Sequence, residues 1–156
     1  MLKVIGIGNI LRGDDGIGPV VIQKLEEQKS SDSFKLFDVG SDAFMILDQL
    51  LKPGPVLVID CAKMGKEPGS IVRFSIKDEG KVPAKVGVSL HGFNLAEIWQ
   101  VAQSLGCPDD LIIIGVEPKG ISFNSGLSEE VENIIPTIIG IVLKEAKKYA
   151  EKNTHH

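Results

Sequence analysis

The sequence predicts an α/β fold: a three-layer α/β/α sandwich around a mainly parallel five-stranded sheet that carries one antiparallel strand. Three observations predict it. Short runs rich in β-branched residues and bounded by turn residues recur along the chain, and segments with apolar residues at helical spacing separate most of them. One pair of strands is joined by a link too short for a crossover helix.

The strands are expected at Leu2 to Gly6, Phe34 to Val39, Val56 to Ile59, Ser70 to Ile76 and Leu111 to Val116. Ile17, Val20, Val21, Lys24 and Leu25 trace a helical stripe after the first strand, and Ala43 to Leu51 another after the second. Leu95, Ile98, Trp99, Ala102 and Leu105 repeat the spacing before the fifth strand. The segment from Ser128 to Ala150 is the closing helix. Its Ser128 hydroxyl precedes acidic Glu129 and Glu130, where the helix dipole favours them, and Pro136 kinks or divides it. The run from Ser70 to Ile76 follows a short Gly/Pro-containing link and is therefore the antiparallel member.

With 156 residues, one hydrophobic core suffices. Residues 1–150 are expected as one domain and 151–156 as a polar tail, in which His155 and His156 are either native or a purification-tag remnant. Hydrophobic residues at 43%, charged residues at 24% and a net charge of -4 give no electrostatic footprint for nucleic acid or an anionic membrane. Proteins or small molecules are the expected partners. No apolar run reaches the ~20 residues that span a bilayer, and Leu2-Lys3-Val4-Ile5-Gly6 leads directly into a strand without a signal-peptide pattern. Cys61 and Cys107 form no CxxC pair and no zinc spacing, so a reducing cytoplasm is the simpler expectation.

In open α/β sheets, ligands bind outside the carboxyl ends of the strands, where strand order reverses. Asp14 and Asp15 follow strand one, Asp60 ends strand three, and His91 opens the helix before strand five. With strands one and three adjacent, two carboxylates and an imidazole can converge there, a donor set that suits nickel or zinc and leaves a position open. Each residue also has a plainer reading. Paired acids ahead of a helix are commonly caps, and a single histidine before an apolar helix is commonly a capping or core-edge residue. Asp60 is different, because it follows Val56-Leu57-Val58-Ile59, and an ionised carboxylate at the rim of a buried strand needs partners. Cys61 reads as a small buried hydrophobe rather than a nucleophile.

The glycine-rich stretch from Gly6 to Gly16 superficially matches a dinucleotide fingerprint, but the third glycine would fall at Leu11, and Asp14 and Asp15 would repel a pyrophosphate. Asp38 imitates the ribose-binding acid, although one small domain leaves little room for a substrate module. A receiver-like phosphoacceptor switch is another alternative, with Asp14, Asp15, Asp60 and Lys119 as its magnesium and phosphate set. In receivers the acids directly follow their strand, whereas Gly8 to Gly13 intervene here.

Taken together, Gly6-Ile7-Gly8-Asn9-Ile10-Leu11-Arg12-Gly13-Asp14-Asp15-Gly16-Ile17-Gly18 resembles the N-terminal signature of the nickel-iron hydrogenase maturation endopeptidases. The resemblance continues through Asp38-Val39-Gly40-Ser41, Val58-Ile59-Asp60-Cys61-Ala62, Ser89-Leu90-His91 and Ile114-Gly115-Val116-Glu117-Pro118. His91-Gly92-Phe93-Asn94-Leu95 looks closer to the subgroup serving deazaflavin (coenzyme F420)-reducing hydrogenases. The chain departs from the family in having Val39-Gly40 where two glycines often follow the strand-two aspartate.

The resemblance implies a cytoplasmic protease that removes a C-terminal extension from the hydrogenase large-subunit precursor once nickel is in place. It maps the metal ligands onto Asp15, Asp60 and His91. The nickel is carried by the substrate as a recognition handle, and other divalent ions can occupy the site in vitro. On this reading Asp15 is the first choice for general base, Gly8, Asn9 and Gly40 shape the loops that admit the tail, and Asp14 caps the first helix beside them. A monomer is expected. The rival within the binding class is a nickel chaperone that cuts nothing.

Overall fold

The first strand, β1 (Leu2–Ile7), is buried along its whole length because helices pack on both of its faces. The structure is a computed structural model that describes residues 1–28, 33–79, 95–106 and 110–153. After β1 come a 3-10 turn (Gly13–Gly16), α1 (Ile17–Gln28), β2 (Phe34–Gly40), α2 (Ala43–Leu50), β3 (Val56–Cys61), β4 (Ile71–Ser75) and a short α3 (Ile76–Glu79). α4 (Leu95–Gly106), β5 (Leu111–Val116), α5 (Glu129–Glu132) and α6 (Ile135–Asn153) complete the described elements.

The sheet order is β2-β1-β3-β5-β4. β1 pairs in parallel with β2 and β3, β3 pairs in parallel with β5, and β4 runs antiparallel to β5, as its short link to β3 predicts. Strand alternation distributes the core between two faces. Leu2, Val4, Leu57, Ile59, Ile112 and Ile114 meet Ile17, Val21 and Leu25 of α1 and Ile138 and Val142 of α6. Ile5, Ile7, Val56, Val58, Leu111 and Ile113 meet Ile46 and Leu50 of α2 and Leu95, Trp99 and Ala102 of α4. Buried on both sides, the central strands read in sequence as unbroken apolar runs rather than as alternating ones. Lys3 interrupts the first run. Its stem is buried and its ammonium donates to the carbonyls of Gln49 and, at 3.0 Å, Lys52, at the carboxyl end of α2 where the helix dipole favours a cation.

The helix packing is closest where α1 meets the sheet. A Cβ on Gly6 would lie 2.6 Å from the Gly18 carbonyl oxygen, and one on Gly18 would lie 2.5 Å from that of Ile7 and 2.8 Å from that of Ile59. Glycine at both positions lets the start of α1 rest on the ends of β1 and β3 together.

Several limits differ from the sequence reading. β3 extends through Cys61, beyond the expected end of the run at Ile59, so Asp60 lies within the strand rather than at its last position. The expected closing helix is divided: α5 ends at Glu132, and α6 begins at Ile135 with Pro136 in its first turn, where the missing N–H costs no helical bond. α6 also continues to Asn153, into the segment expected as a tail. Among the described residues no helix is long and apolar enough to cross a membrane.

With α1 on one face and α2 on the other, chain direction reverses between β1 and β3, and the carboxyl ends of those two strands bound the crevice in which such folds bind ligands.

Candidate functional site

The loop after β1 folds back on itself to bring Asp15 to the strand ends. Asn9 closes the turn: its side-chain Oδ1 accepts from the Leu11 N–H at 2.9 Å and its carbonyl accepts from the Arg12 N–H at 3.0 Å. The Asp15 N–H then donates to the Arg12 carbonyl at 3.1 Å. Gly8, at φ +142°, lies so close that a Cβ there would be 1.9 Å from the Asp15 carbonyl oxygen. Asp15 is buried, and the Asn9 N–H donates to its Oδ2 at 3.0 Å. Gly8 also donates its N–H to the Gly40 carbonyl at 2.8 Å, joining the loops after β1 and β2. Gly40 has φ +58°, and its own N–H donates to Asp38 Oδ1 at 3.2 Å. Gly8, Asn9, Asp15 and Gly40 thus share one edge.

Asp60 stands at that edge on the neighbouring strand. It is buried and follows Val56 and Val58 in the strand's alternation toward α2 and α4, and Cys61 follows Leu57 and Ile59 toward α1. Its register partner on β5 is Gly115, which puts no side chain beside it. Burial pushes the Cys61 thiol up from its ordinary range, and Asp15, Asp60, Asp14 and Glu117 add to the rise in that order. Four carboxylates therefore act on one strand end. A cysteine nucleophile needs the opposite shift, so the site gives Cys61 no activation.

His91 lies outside the described residues. Among those described, no group of three His, Cys, Asp or Glu side chains is placed to hold a metal ion. Of the predicted trio, the two acids Asp15 and Asp60 are the members that the described structure brings to one edge.

Asp14 does something other than cap the first helix. Its Oδ2 accepts from the Lys119 N–H at 2.8 Å, the Gly120 N–H at 3.1 Å and the Ser128 hydroxyl at 2.9 Å, and its Oδ1 accepts from the Ser128 N–H at 2.6 Å. The adjacent acids have opposite assignments: Asp15 turns toward the strand ends, and Asp14 ties the turn to the segment after β5. Ser128 in turn caps α5, accepting from the Val131 N–H at 3.3 Å. The receiver-like alternative fails on the same contacts, since Asp14 is filled by main-chain and hydroxyl donors and the exposed Lys119 ammonium pairs with Glu130 at 2.9 Å.

Glu117, to which the family resemblance assigns no role, has one in the structure. Buried after the all-apolar β5, it accepts from the N–H groups of Met64 at 2.9 Å and Lys66 at 2.7 Å. Its backbone bonds Gly69 and Ser70, each at 2.9 Å. The loop leaving Asp60 and Cys61 is therefore fixed from β5. The signal that singled out Asp60, an acid directly after a buried apolar run, applies equally to Glu117.

Comparison with known proteins identifies the family. The sequence model of the hydrogenase maturation protease family matches residues 19–145. The coenzyme F420 hydrogenase subunit delta of Methanothermobacter thermautotrophicus is 31% identical, over 92% of this chain and 93% of that protein. The hydrogenase expression/formation protein HupD of Thiocapsa roseopersicina is 31% identical over 88% of this chain, which spans 64% of HupD. Among solved structures, the hydrogenase maturating endopeptidase HybD from E. coli superposes with a TM-score of 0.82 at 25% identity, covering 95% of this chain and 93% of that one. By the family model and these relatives, the chain belongs to the hydrogenase maturation protease family.

Proposed function

We propose that this protein is the endopeptidase that removes the C-terminal extension from a nickel-loaded hydrogenase large-subunit precursor, acting in the cytoplasm as a monomer. The observation that carries this reading is the burial of Asp15, in the turn after β1, and of Asp60, in β3, at the carboxyl edge of two adjacent strands that bound the crevice. His91, in the segment before α4, completes the set toward the nickel. The nickel belongs to the substrate, and the enzyme supplies oxygen and imidazole donors suited to it.

In this mechanism the precursor's nickel engages Asp15, Asp60 and His91 and so places the scissile peptide at the crevice. Asp15 takes a proton from the water that attacks the scissile carbonyl and returns it to the amide nitrogen as the C–N bond breaks and the extension leaves. The hydrogen bond from Asn9 holds its carboxylate in one orientation while it does so. Glu117 fixes the loop after β3, and the joined loops at Gly8 and Gly40 form the wall along which the extension lies. The acids are thus aspartic-type in chemistry, and nickel is required for recognition rather than as a resident cofactor.

The test is incubation of nickel-free and nickel-loaded precursor with the purified protein, read by mass spectrometry. Loss of the extension from the loaded form alone is expected. Equal cleavage of both would refute nickel gating, and a loaded precursor whose mass never changes would favour a chaperone that cuts nothing. Asp15→Asn, Asp60→Asn and His91→Ala should each lower the cleavage rate by at least about a hundredfold with cooperative unfolding retained.

A further inference from the structure

Large apolar side chains are exposed at ten described positions, and half of them fall at one end of the sheet. Ile10 and Leu11 follow β1, Phe44 and Met45 lie in the first turn of α2, and Phe123 lies in the segment after β5. They are far from marginally exposed: Phe44 is 83% accessible, Phe123 67% and Ile10 61%. The other five, Met1, Leu51, Val101, Leu105 and Leu143, are spread over the rest of the surface.

Local structure does not call for these residues. Leu11 sits in a turn closed by Asn9, where polar residues are the usual choice, and Phe44 follows the Asp42 cap of α2 with most of its side chain in solvent. The three segments are tied together through the loop that carries Asp15. Asn124 donates its N–H to the Leu11 carbonyl at 2.7 Å, Gly8 donates to Gly40 at the entry to α2, and a Cβ on Gly16 would come within 3.0 Å of the Ile10 Cα. Large exposed apolar side chains gathered at one end of a sheet, beside a site, mark a protein contact.

We propose that Ile10, Leu11, Phe44, Met45 and Phe123 form an apolar collar around the crevice that docks the folded body of the precursor, apart from the segment that is cut. The inference rests on the reading given under Proposed function and adds to it a second, non-metal contact with the substrate. Its occupant is an apolar patch on the precursor surface beside the root of the extension. The argument for that occupant is continuity: a body whose extension reaches Asp15 and Asp60 must lie against the loops that flank them. Because the collar binds the substrate before and during cleavage alike, it acts on affinity and leaves the chemical step unchanged.

The experiment uses the full-length chain and the nickel-loaded large-subunit precursor that it cleaves. Phe44→Ser, Phe123→Ser and the double variant Ile10→Ser/Leu11→Ser are compared with the wild type for KM, kcat, thermal midpoint and mass by light scattering. The expected result is a KM raised about tenfold or more for each, with kcat and the midpoint near wild type. Unchanged KM in all three overturns the collar while leaving the protease reading intact. A kcat loss at unchanged KM overturns it too, by assigning these residues to the chemical step. If the wild type is a dimer that Phe44→Ser dissolves with KM unaltered, a second copy is the occupant and the proposal fails. Failure of the wild type to cleave any loaded precursor removes the underlying reading, an outcome separate from the others.

Discussion

Asp14 and Ser128, 114 residues apart in sequence, are joined by two hydrogen bonds, one from the Ser128 N–H at 2.6 Å and one from its hydroxyl at 2.9 Å. Together with the Lys119 and Gly120 amides, they make Asp14 the point at which the turn before α1 is fastened to the segment after β5. Asp14→Ala would leave four part-buried donors without this acceptor, and is expected to cost about 3 kcal/mol of stability. Ser128→Ala removes one of the four bonds and the α5 cap, for about 1 kcal/mol. Urea titration of both variants checks the ranking. A loss below about 1 kcal/mol in Asp14→Ala would mean that water takes over the carboxylate's contacts.

The approach of Gly8 to Asp15 makes a second prediction. Gly8→Ala puts a methyl group 1.9 Å from the Asp15 carbonyl oxygen, a backbone atom that can yield only if the 3-10 turn moves. Displacement by about 1 Å is enough to cost a site about a hundredfold in rate, so precursor processing should fall by that order. Gly65→Ala is the control, since Gly65 also has a positive φ, +75°, but meets open space. It should lose about 1 kcal/mol and keep its activity. Equal activity loss in the two variants would point to backbone strain rather than to the position of Asp15.

Cys61 gives a third. Its thiol is fully buried and its environment opposes the thiolate, so Cys61→Ala should process precursor at the wild-type rate while losing about 1 kcal/mol to the smaller side chain. Cleavage kinetics alongside thermal unfolding separate the two effects. A rate falling a hundredfold in a well-folded Cys61→Ala protein would restore cysteine chemistry as the mechanism.

The strands themselves were readable because each is bounded by turn residues and the central ones are buried on both faces, so their sequences are apolar throughout. The antiparallel direction of β4 was readable from its short link to β3; the place of β5 between β3 and β4 was not. Asp60 was readable for a related reason: an acid that ends such a run has nowhere neutral to go. The division of labour between Asp14 and Asp15 was not. The two are adjacent and chemically identical, and what separates them is the 3-10 turn together with donors from Lys119, Gly120 and Ser128, more than a hundred residues away. Local reasoning favours a helix cap for both, and long-range contacts decide otherwise. Pro136 signalled a break in the last helix but not its place, because proline is tolerated in a first turn and the end of α5 depends on how Val131 and Ile135 reach the core. His91, the third expected ligand, lies outside the described residues, so its part in the trio stands on the family resemblance.

A pH prediction comes from the far edge of the sheet, well away from the site. The Tyr149 hydroxyl donates to Asp110 Oδ2 at 3.1 Å, and that carboxylate also accepts from the Ser75 hydroxyl at 3.0 Å, the Lys77 N–H at 3.0 Å and the Leu111 N–H at 2.8 Å. Burial, then the charge and hydrogen bond of Asp110, hold the Tyr149 phenol above its ordinary range. The unfolded chain releases this proton near pH 10, whereas the folded chain keeps it to higher pH. The stabilisation is therefore complete below about pH 10 and is lost as pH rises toward the folded value, because above the unfolded value the unfolded state binds fewer protons. Tyr149→Phe should be less stable than wild type by about 1 kcal/mol at neutral pH, with Asp110 still held by its three other donors. Between about pH 10 and 11 the gap should narrow, since the variant has no phenol to titrate. Urea midpoints of the two proteins at neutral pH and at about pH 11 measure this directly, and a gap that stays constant would show that the Tyr149 proton does not contribute to folding.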